Sequence, residues 1–202
     1  MELLNSLVGQ INDILWSYVL IILLIGAGII FTIRTKFVQI RFIKEMIRLI
    51  AGDAGNKMEG QQISSFQAFC VSTASRVGVG NIAGIAIAVV LGGPGAIFWM
   101  WIIAILGSAT GFVESTLAQI YKVPRTDSNG YLGGPAYYIN NALHSPKTAV
   151  FFAILISVTY GLIFNSVQSN TISLSLQTAF NFDATMIGIV IAVFSGIVVF
   201  GG

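Results

Sequence analysis

The sequence predicts an all-α polytopic membrane protein with about five spans. Of its 202 residues, 55% are hydrophobic and only 9% are charged, and the mean hydropathy is +0.86. Soluble domains carry about 25% charged residues. Five apolar stretches are each long enough to cross a hydrocarbon core of roughly 30 Å. Together these observations favour a membrane protein over a soluble domain.

The charges predict how the chain is oriented. Nine of the ten lysines and arginines lie in two short segments, residues 34–57 and 122–147. Cytoplasmic loops carry such an excess of basic residues. Both segments are therefore expected on the cytoplasmic side of a bacterial-type inner membrane. The acidic residues Glu2, Asp13 and Asp183 are then outside, together with the N-terminus. The distribution of lysines and arginines therefore indicates how the chain is oriented in the membrane, and no nucleic-acid partner is expected.

The first span is predicted at residues 14–33, which carry no charge. Trp16 and Tyr18 lie near its outer end, where interfacial aromatic residues are common. Residues 38–50 alternate isoleucines with basic residues, which predicts a short amphipathic helix on the inner leaflet. A solvated connector is the alternative for this segment, and residues 52–60 are predicted to form a loop.

The second and third spans are predicted at residues 64–90 and 96–121, joined by a tight turn at residues 92–95 in which glycine and proline supply the reversal. The inside segment 125–146 is expected to contain a short amphipathic helix at the membrane interface.

The fourth span is predicted at residues 148–178, long enough to be tilted, and the fifth at residues 184–200. Polar residues recur at three- and four-residue spacing in the outer half of the fourth span, which places them on one helix face. These residues are Asn165, Gln168, Thr171, Ser175 and Thr178.

The centre of the second span, residues 72–84, combines small hydroxyl residues with glycines on both sides of Val79. An uninterrupted span gains nothing from this composition, whereas a helix that unwinds frees amides and carbonyls to bind a ligand at mid-membrane depth. The segment also fits G-x-G-x-x-A, but its flanks are a membrane span rather than a strand, so a dinucleotide site is rejected. Helix packing through Gly80 and Gly84 remains the structural alternative.

Arg76 and Glu114 are the only ionisable side chains between residues 64 and 120 that could lie at membrane depth. A charge in the bilayer costs at least about 2.5–3.5 kcal/mol. Counted along straight helices, the two residues differ in depth by roughly 7–8 Å, which a long arginine side chain largely covers. An inter-helix ion pair is therefore predicted, and a proton relay is disfavoured because arginine does not deprotonate.

Other polar residues have simpler interpretations. Cys70 is expected to be a packing residue and His144 a solvated loop residue, and neither has metal-ligand spacing around it. Gln168 either joins helices or reaches a substrate's amino or carboxylate group. A membrane-embedded enzyme would need a nucleophile with its base, or paired carboxylates, and Glu114 alone does not supply that.

One stretch closely resembles a known family. Residues 92–107, GGPGAIFWMWIIAILG, are similar to the signature of the alanine or glycine:cation symporter family, the sodium/alanine symporters. The resemblance continues upstream at residues 72–84 and downstream at residues 114–118 (ESTLA) and 133–138 (GGPAYY). It covers most of the chain from about Ser64 onward.

This resemblance implies a leucine-transporter-like fold of two inverted five-helix repeats and a length about twice that of this chain. Residues 1–63 would form an N-terminal span with its basic amphipathic segment, and residues 64–202 the first four core helices of the first repeat. The C-terminal repeat would then be missing, or supplied by a separate chain. A non-transporting fragment or assembly subunit is the alternative function.

The implied activity is sodium-coupled symport of alanine or glycine, with sodium as coupling ion and no enzymatic cofactor. The substrate-binding residues would be Ser75, Gly78, Val79, Gly80, Asn81 and Gln168. Sodium would bind the carbonyls of Ala74 and Val77 and the side-chain oxygen of Asn81. The family's usual motif has threonine where this chain has Val79, so a hydroxyl contact to the ligand would be absent here.

Overall fold

A computed structural model describes residues 2–52, 63–126 and 130–201, with side chains from Asn5 onward. The first helix comprises α1 (Glu2–Ile14), a π-helical turn (Leu15–Val19) and α2 (Leu20–Arg34). The part long and apolar enough to span a membrane is Asn5–Arg34, 30 residues. It begins nine residues before the predicted start because nothing in that stretch breaks a helix.

The basic amphipathic segment is helical but not continuous. Lys36 and Phe37 both adopt φ of 55°, which turns the chain out of α2. Two short helices follow, α3 (Val38–Arg41) and α4 (Ile43–Gly52), with the bend at Phe42 between them. The single helix predicted at residues 38–50 is therefore wrong in this detail. Except for Gly52, which ends α4, the loop predicted at residues 52–60 lies outside the described residues.

The second span is broken, as predicted. Helix α5 (Ser65–Arg76) begins with a capping box, in which the Ser64 hydroxyl accepts from the Gln67 amide and the Gln67 side chain accepts from the Ser64 amide. Helix α6 (Ala83–Gly92) follows a short 3₁₀ turn at Val79–Asn81. The two halves are bent by 81° relative to each other.

The turn into the third span needs its glycine. Gly93 has φ of +66°, a left-handed conformation that other residues rarely adopt. Pro94 then caps α7 (Gly95–Ile120), 26 residues long. This agrees with the predicted turn at residues 92–95 and the span at residues 96–121.

The segment after α7 contains more structure than predicted. A two-residue antiparallel ribbon pairs β1 (Val123–Pro124) with β2 (Tyr131–Leu132). The ammonium of Lys122 lies 4.6 Å from the Tyr131 ring centroid, which holds the ribbon against the end of α7. The short helix expected in this segment is α8 (Pro135–Leu143).

The fourth span is a single helical run of 35 residues, Pro146–Phe180. It consists of α9 (Pro146–Val158), a π-helical segment (Thr159–Phe164) and α10 (Asn165–Phe180). Asn181, with φ of 56°, ends it. The fifth span is α11 (Ala184–Gly201), whose first turn is capped by Asp183 through the Met186 amide at 2.9 Å.

Helix α7 is the centre of the packing, because α2, α3, α6 and α8 all contact it. A Cβ on Gly28 would lie 2.9 Å from the Leu106 Cβ, so the absence of a side chain there lets α2 approach α7 closely. Most large apolar side chains of the described spans are exposed. Together with four spanning helices and one broken pair, this surface is that of a multi-pass membrane protein.

Candidate transport site

The backbone leaves helical geometry immediately after Arg76. Val77 has φ −86° and ψ 114°, and Gly78 has φ −135° and ψ −178°, so both are extended. The Asn81 amide donates to the Gly78 carbonyl at 3.0 Å, and the Ile82 amide to the Val79 carbonyl at 3.1 Å. Because any residue can adopt the Gly78 conformation, backbone freedom does not explain this glycine.

The break leaves backbone groups without partners. Within the described part of the chain, the amides of Gly78, Val79 and Gly80 donate no hydrogen bond, and the carbonyls of Ala74 and Val77 accept none. Backbone N–H and C=O groups away from water are nearly always paired. These five groups are therefore available to a ligand, ion or water.

Except for Ala74, the residues that carry these groups line a cavity of about 690 Å³ between the break and the fourth span. That volume is within the range of about 300–1,000 Å³ usual for small-molecule sites. The break supplies Ser75, Arg76, Val77, Gly78, Val79, Gly80, Asn81, Ala83, Gly84 and Ile87, and the fourth span supplies Tyr160, Phe164, Asn165, Val167, Gln168 and Thr171.

Gln168 is a polar side chain of the fourth span that lies next to the break. A Cβ on Gly78 would lie 3.4 Å from the Gln168 Nε2 atom, so the two residues are in near contact. The neighbouring polar groups bond to their own helix, Asn165 Nδ2 to the Gly161 carbonyl at 3.3 Å and Thr171 Oγ1 to the Val167 carbonyl at 2.9 Å. Nowhere in the described chain does the Gln168 amide have a hydrogen-bond partner, so it is available to a ligand.

Two further side chains at the break can act as ligands. The Ser75 hydroxyl donates to the Ser72 carbonyl at 3.0 Å, and its own oxygen remains able to accept. The Asn81 side chain is exposed and makes no hydrogen bond to any described residue. All the predicted substrate-binding residues thus line one cavity, as does Val77, whereas Ala74 is not part of the lining.

The predicted ion pair between Arg76 and Glu114 is not formed. Arg76 Nη1 instead donates to the Ser72 Oγ atom, 2.7 Å away and one turn back on α5. Among the described residues, Arg48 and Glu45 form the one ion pair whose charged atoms lie within 4 Å of each other. A residue count gives depth only for a helix that runs along the membrane normal, and α5 and α6, bent by 81° relative to each other, cannot both do so.

Glu114 acts on α8 instead. Burial raises the pKa of the Tyr138 hydroxyl above its usual 10.0, and the negative charge of Glu114 raises that pKa further. Both effects keep the phenol neutral and able to donate a hydrogen bond. The charge of Glu114 on α7 is therefore felt at Tyr138 on α8.

Sequence reasoning missed the aromatic part of the cavity wall. The rings of Tyr160 and Phe164 stack, with centroids 5.1 Å apart, on the π-helical segment. A signal existed, because Tyr160, Phe164 and Gln168 are spaced by four residues and thus share a helix face. The polar stripe itself begins at Asn165, after both aromatic residues.

The whole chain, residues 1–202, matches the Sodium:alanine symporter family. The chain belongs to this family. It is 54% identical over its full length to the probable sodium/glutamine symporter GlnT of Bacillus subtilis, and covers 41% of that protein. It is 50% identical over 98% of its length to the amino-acid carrier protein AlsT of the same organism, again covering 41%. Identity to the sodium/alanine symporter AgcS of Methanococcus maripaludis is 37% over 98% of the chain, which covers 44% of that relative.

These relatives are transporters and not enzymes, and sodium is the coupling ion of the sodium/alanine symporters. The chain spans about two fifths of their length. In the relatives the remaining region belongs to the same polypeptide, so a separate C-terminal chain as partner is not supported. A non-transporting fragment or assembly subunit is likewise not favoured.

Proposed function

We propose that the chain forms part of a sodium-coupled symporter that moves a small neutral amino acid, alanine or glycine, by alternating access around the broken span. Residues 64–202 would supply the first four core helices of a leucine-transporter-like inverted repeat, and residues 1–63 the N-terminal span with its basic segment. The observation that carries the proposal is the set of unpaired backbone groups at the break, which face the free Gln168 amide across one cavity.

The substrate carboxylate would bind at the start of α6. The amides of Val79 and Gly80 are unpaired, and the positive end of the helix dipole lies just beyond them. The Ser75 hydroxyl and the Gln168 amide lie on the same cavity and can hydrogen-bond the amino or carboxylate group. This arrangement leaves the small side chain of alanine toward the apolar and aromatic part of the wall.

Sodium would bind on the α5 side of the break. Unwound backbone carbonyls and the C-terminal ends of half-helices are the usual sodium ligands in such transporters. The carbonyls of Ala74 and Val77 are unpaired here, and Asn81 can add a side-chain oxygen. Placing the cation next to the substrate carboxylate would let each ion stabilise the other, which is a direct physical basis for coupled transport.

Glutamine is a second candidate substrate. The relative with 54% identity carries the name of a probable sodium/glutamine symporter. The cavity of about 690 Å³ also presents Asn165 and Thr171 beyond Gln168, where a side-chain carboxamide would find polar partners. Competition between the two amino acids therefore tests the substrate.

Transport is tested best on a chimera in which this chain is followed by the remaining region of GlnT. Reconstituted in liposomes, the chimera should take up radiolabelled alanine when an inward sodium gradient is imposed, and not when choline replaces sodium. Excess unlabelled glycine and glutamine, added separately, report the preference. Uptake that is independent of sodium, or no uptake by a chimera that folds like GlnT, would contradict the proposal.

Orientation is tested by cysteine labelling. We propose that the N-terminus is outside, so Asp183 is external and Thr126 cytoplasmic. Single cysteines at these positions, in a Cys70→Ser background, are treated with an impermeant thiol reagent in intact cells. Asp183→Cys should react before lysis and Thr126→Cys only afterwards, and the reverse pattern would invert the topology.

A further inference from the structure

The bend between α3 and α4 forms a second concave site, which precedes the broken span in the sequence. A cavity of about 500 Å³ lies there, lined by Arg41, Phe42, Lys44, Glu45, Ile47 and Arg48. We call these six residues the basic elbow. Nothing in the transport mechanism proposed above uses it.

The charges of the basic elbow are only partly neutralised. The Arg48 Nη2 atom lies 2.6 Å from the Glu45 Oε1 atom, so these two charges compensate each other. The Arg41 guanidinium lies 4.5 Å from the centroid of the Phe42 ring, a contact that leaves its charge intact. Lys44 has no partner in the described part of the chain. Within the described residues, two uncompensated cations therefore line the same cavity, which favours an anionic occupant.

Apolar side chains beside these cations indicate that the occupant is an amphiphile. Phe42 and Ile47 line the cavity, and Ile47 is 63% exposed. Ile43 and Met46, also on α4, are exposed as well. A site for a free inorganic anion would not need this surface, whereas a lipid places a charged headgroup directly next to its hydrocarbon chains.

The location of the basic elbow agrees with a lipid occupant. It follows the end of the Asn5–Arg34 span by only a few residues, which places it where a helix leaves the hydrocarbon region. It is also anchored to the core, because Val38 is 1% exposed where α3 packs on α7, and Gln39 Nε2 donates to Thr32 Oγ1 at 3.0 Å. On its other side α4 contacts α5, the first half of the broken span.

We propose that the basic elbow binds the phosphodiester headgroup of an anionic phospholipid, with Arg41 and Lys44 on the phosphate and an acyl chain along Phe42 and Ile47. Basic residues next to a membrane surface attract anionic lipids in this way. Glu45 restrains the site by holding Arg48 away from the phosphate. Bound lipid would tether the α3–α4 segment at the surface beside α5.

The test measures lipid binding to the purified chain in a neutral detergent. Short-chain phosphatidylglycerol is titrated and the bound lipid is counted by native mass spectrometry, with phosphatidylcholine of equal chain length and glycerol phosphate as comparison ligands. The double variant Arg41→Gln/Lys44→Gln should bind phosphatidylglycerol about 30-fold more weakly. The matched control Arg34→Gln/Lys36→Gln removes the same net charge outside the cavity and should weaken binding less than about threefold.

A gain-of-binding variant keeps the test independent of losses through misfolding. Glu45→Gln frees Arg48 and removes a like charge, so it should strengthen phosphatidylglycerol binding about fivefold. Equal weakening by the two double variants would overturn the proposal in favour of diffuse attraction. Equal affinity for phosphatidylcholine would do the same, as would equal affinity for glycerol phosphate, which would mean that only the free anion is recognised.

Discussion

The two spans on either side of the cavity depart from α-helical geometry in opposite ways. The second span breaks, with an 81° bend and a 3₁₀ turn at Val79–Asn81. The fourth span stays continuous over 35 residues and only widens into a π-helical segment at Thr159–Phe164. One wall of the cavity therefore offers unpaired backbone groups, and the other offers side chains on an intact helix.

Because of this difference, the two walls are suited to different parts of the ligands. Backbone groups at a break cannot be altered by a change of residue, so they suit the features common to all substrates, a carboxylate and a cation. Side chains on an intact helix can be exchanged without disturbing the backbone, so they suit discrimination between substrates. We expect substitutions on the two walls to affect different measured quantities, and the predictions below test that expectation in the GlnT chimera.

The largest effect is expected at Gln168. Replacing it with alanine removes an unpaired amide that faces the break, and a hydrogen bond to a charged group contributes about 1.5–3 kcal/mol. The apparent affinity for amino acid should fall about 10- to 100-fold, while the sodium concentration for half-maximal uptake, measured at saturating amino acid, should hardly change.

Asn165 provides the matched control for Gln168. Its amide donates to the Gly161 carbonyl of its own helix, so Asn165→Ala should lower the alanine affinity less than about threefold. Equal losses of alanine affinity in both variants would show that Gln168 contributes no more to substrate binding than Asn165 does.

Asn81→Ala tests the other wall and should give about a tenfold effect. The side-chain oxygen at the end of the break is proposed to bind sodium, so its removal should raise the sodium concentration for half-maximal uptake about tenfold. At saturating sodium the apparent affinity for alanine should recover. A lowered alanine affinity that sodium cannot restore would instead make Asn81 a substrate ligand.

Gly80→Ala is expected to reduce transport about fivefold by crowding. No heavy atom lies within 4 Å of a Cβ built there, and the φ of Gly80 is not positive, so the methyl group enters the cavity without straining the protein. Because the added group occupies ligand space, affinity should fall more for glutamine than for alanine. Gly107→Ala in α7 meets open space outside this cavity and is the control, with uptake unchanged.

Much of this arrangement could be predicted from the sequence. The glycines around Val79, together with the small hydroxyl residues before them, predicted the break in this apolar stretch. The polar stripe predicted the face that contains Gln168. The role of Gly78 could not be predicted, since its backbone is ordinary and its small size matters only because Gln168 lies 3.4 Å from its virtual Cβ. That proximity comes from the packing of α10 against the break, which no local pattern encodes.

The partner of Arg76 was also beyond the reach of the sequence, and for a different reason. Counting residues gives a depth only for a helix along the membrane normal, and it gives no lateral distance between two helices. Arg76 instead bonds Ser72 on its own helix, and the charge of Glu114 adds to the effect of burial in raising the pKa of Tyr138 on α8. A break and two isolated charges in the sequence do not by themselves give the distance between the charges.

The smallest effect is predicted for the coupling between these two charges. If an ion pair with α7 held the break in place, the cavity wall would depend on side chains after all, and the contrast between the two walls would fail. A double-mutant cycle on the free energy of unfolding in mixed micelles decides this with Arg76→Ala, Glu114→Ala and the double variant. Because the two residues do not touch, their effects should add within about 0.5 kcal/mol. The parallel cycle of Arg76→Ala with Ser72→Ala is the positive control, and should show a coupling of about 1 kcal/mol from the hydrogen bond at 2.7 Å. If the coupling energy between Arg76 and Glu114 exceeds that between Arg76 and Ser72, the ion pair forms and α7 helps to hold the break.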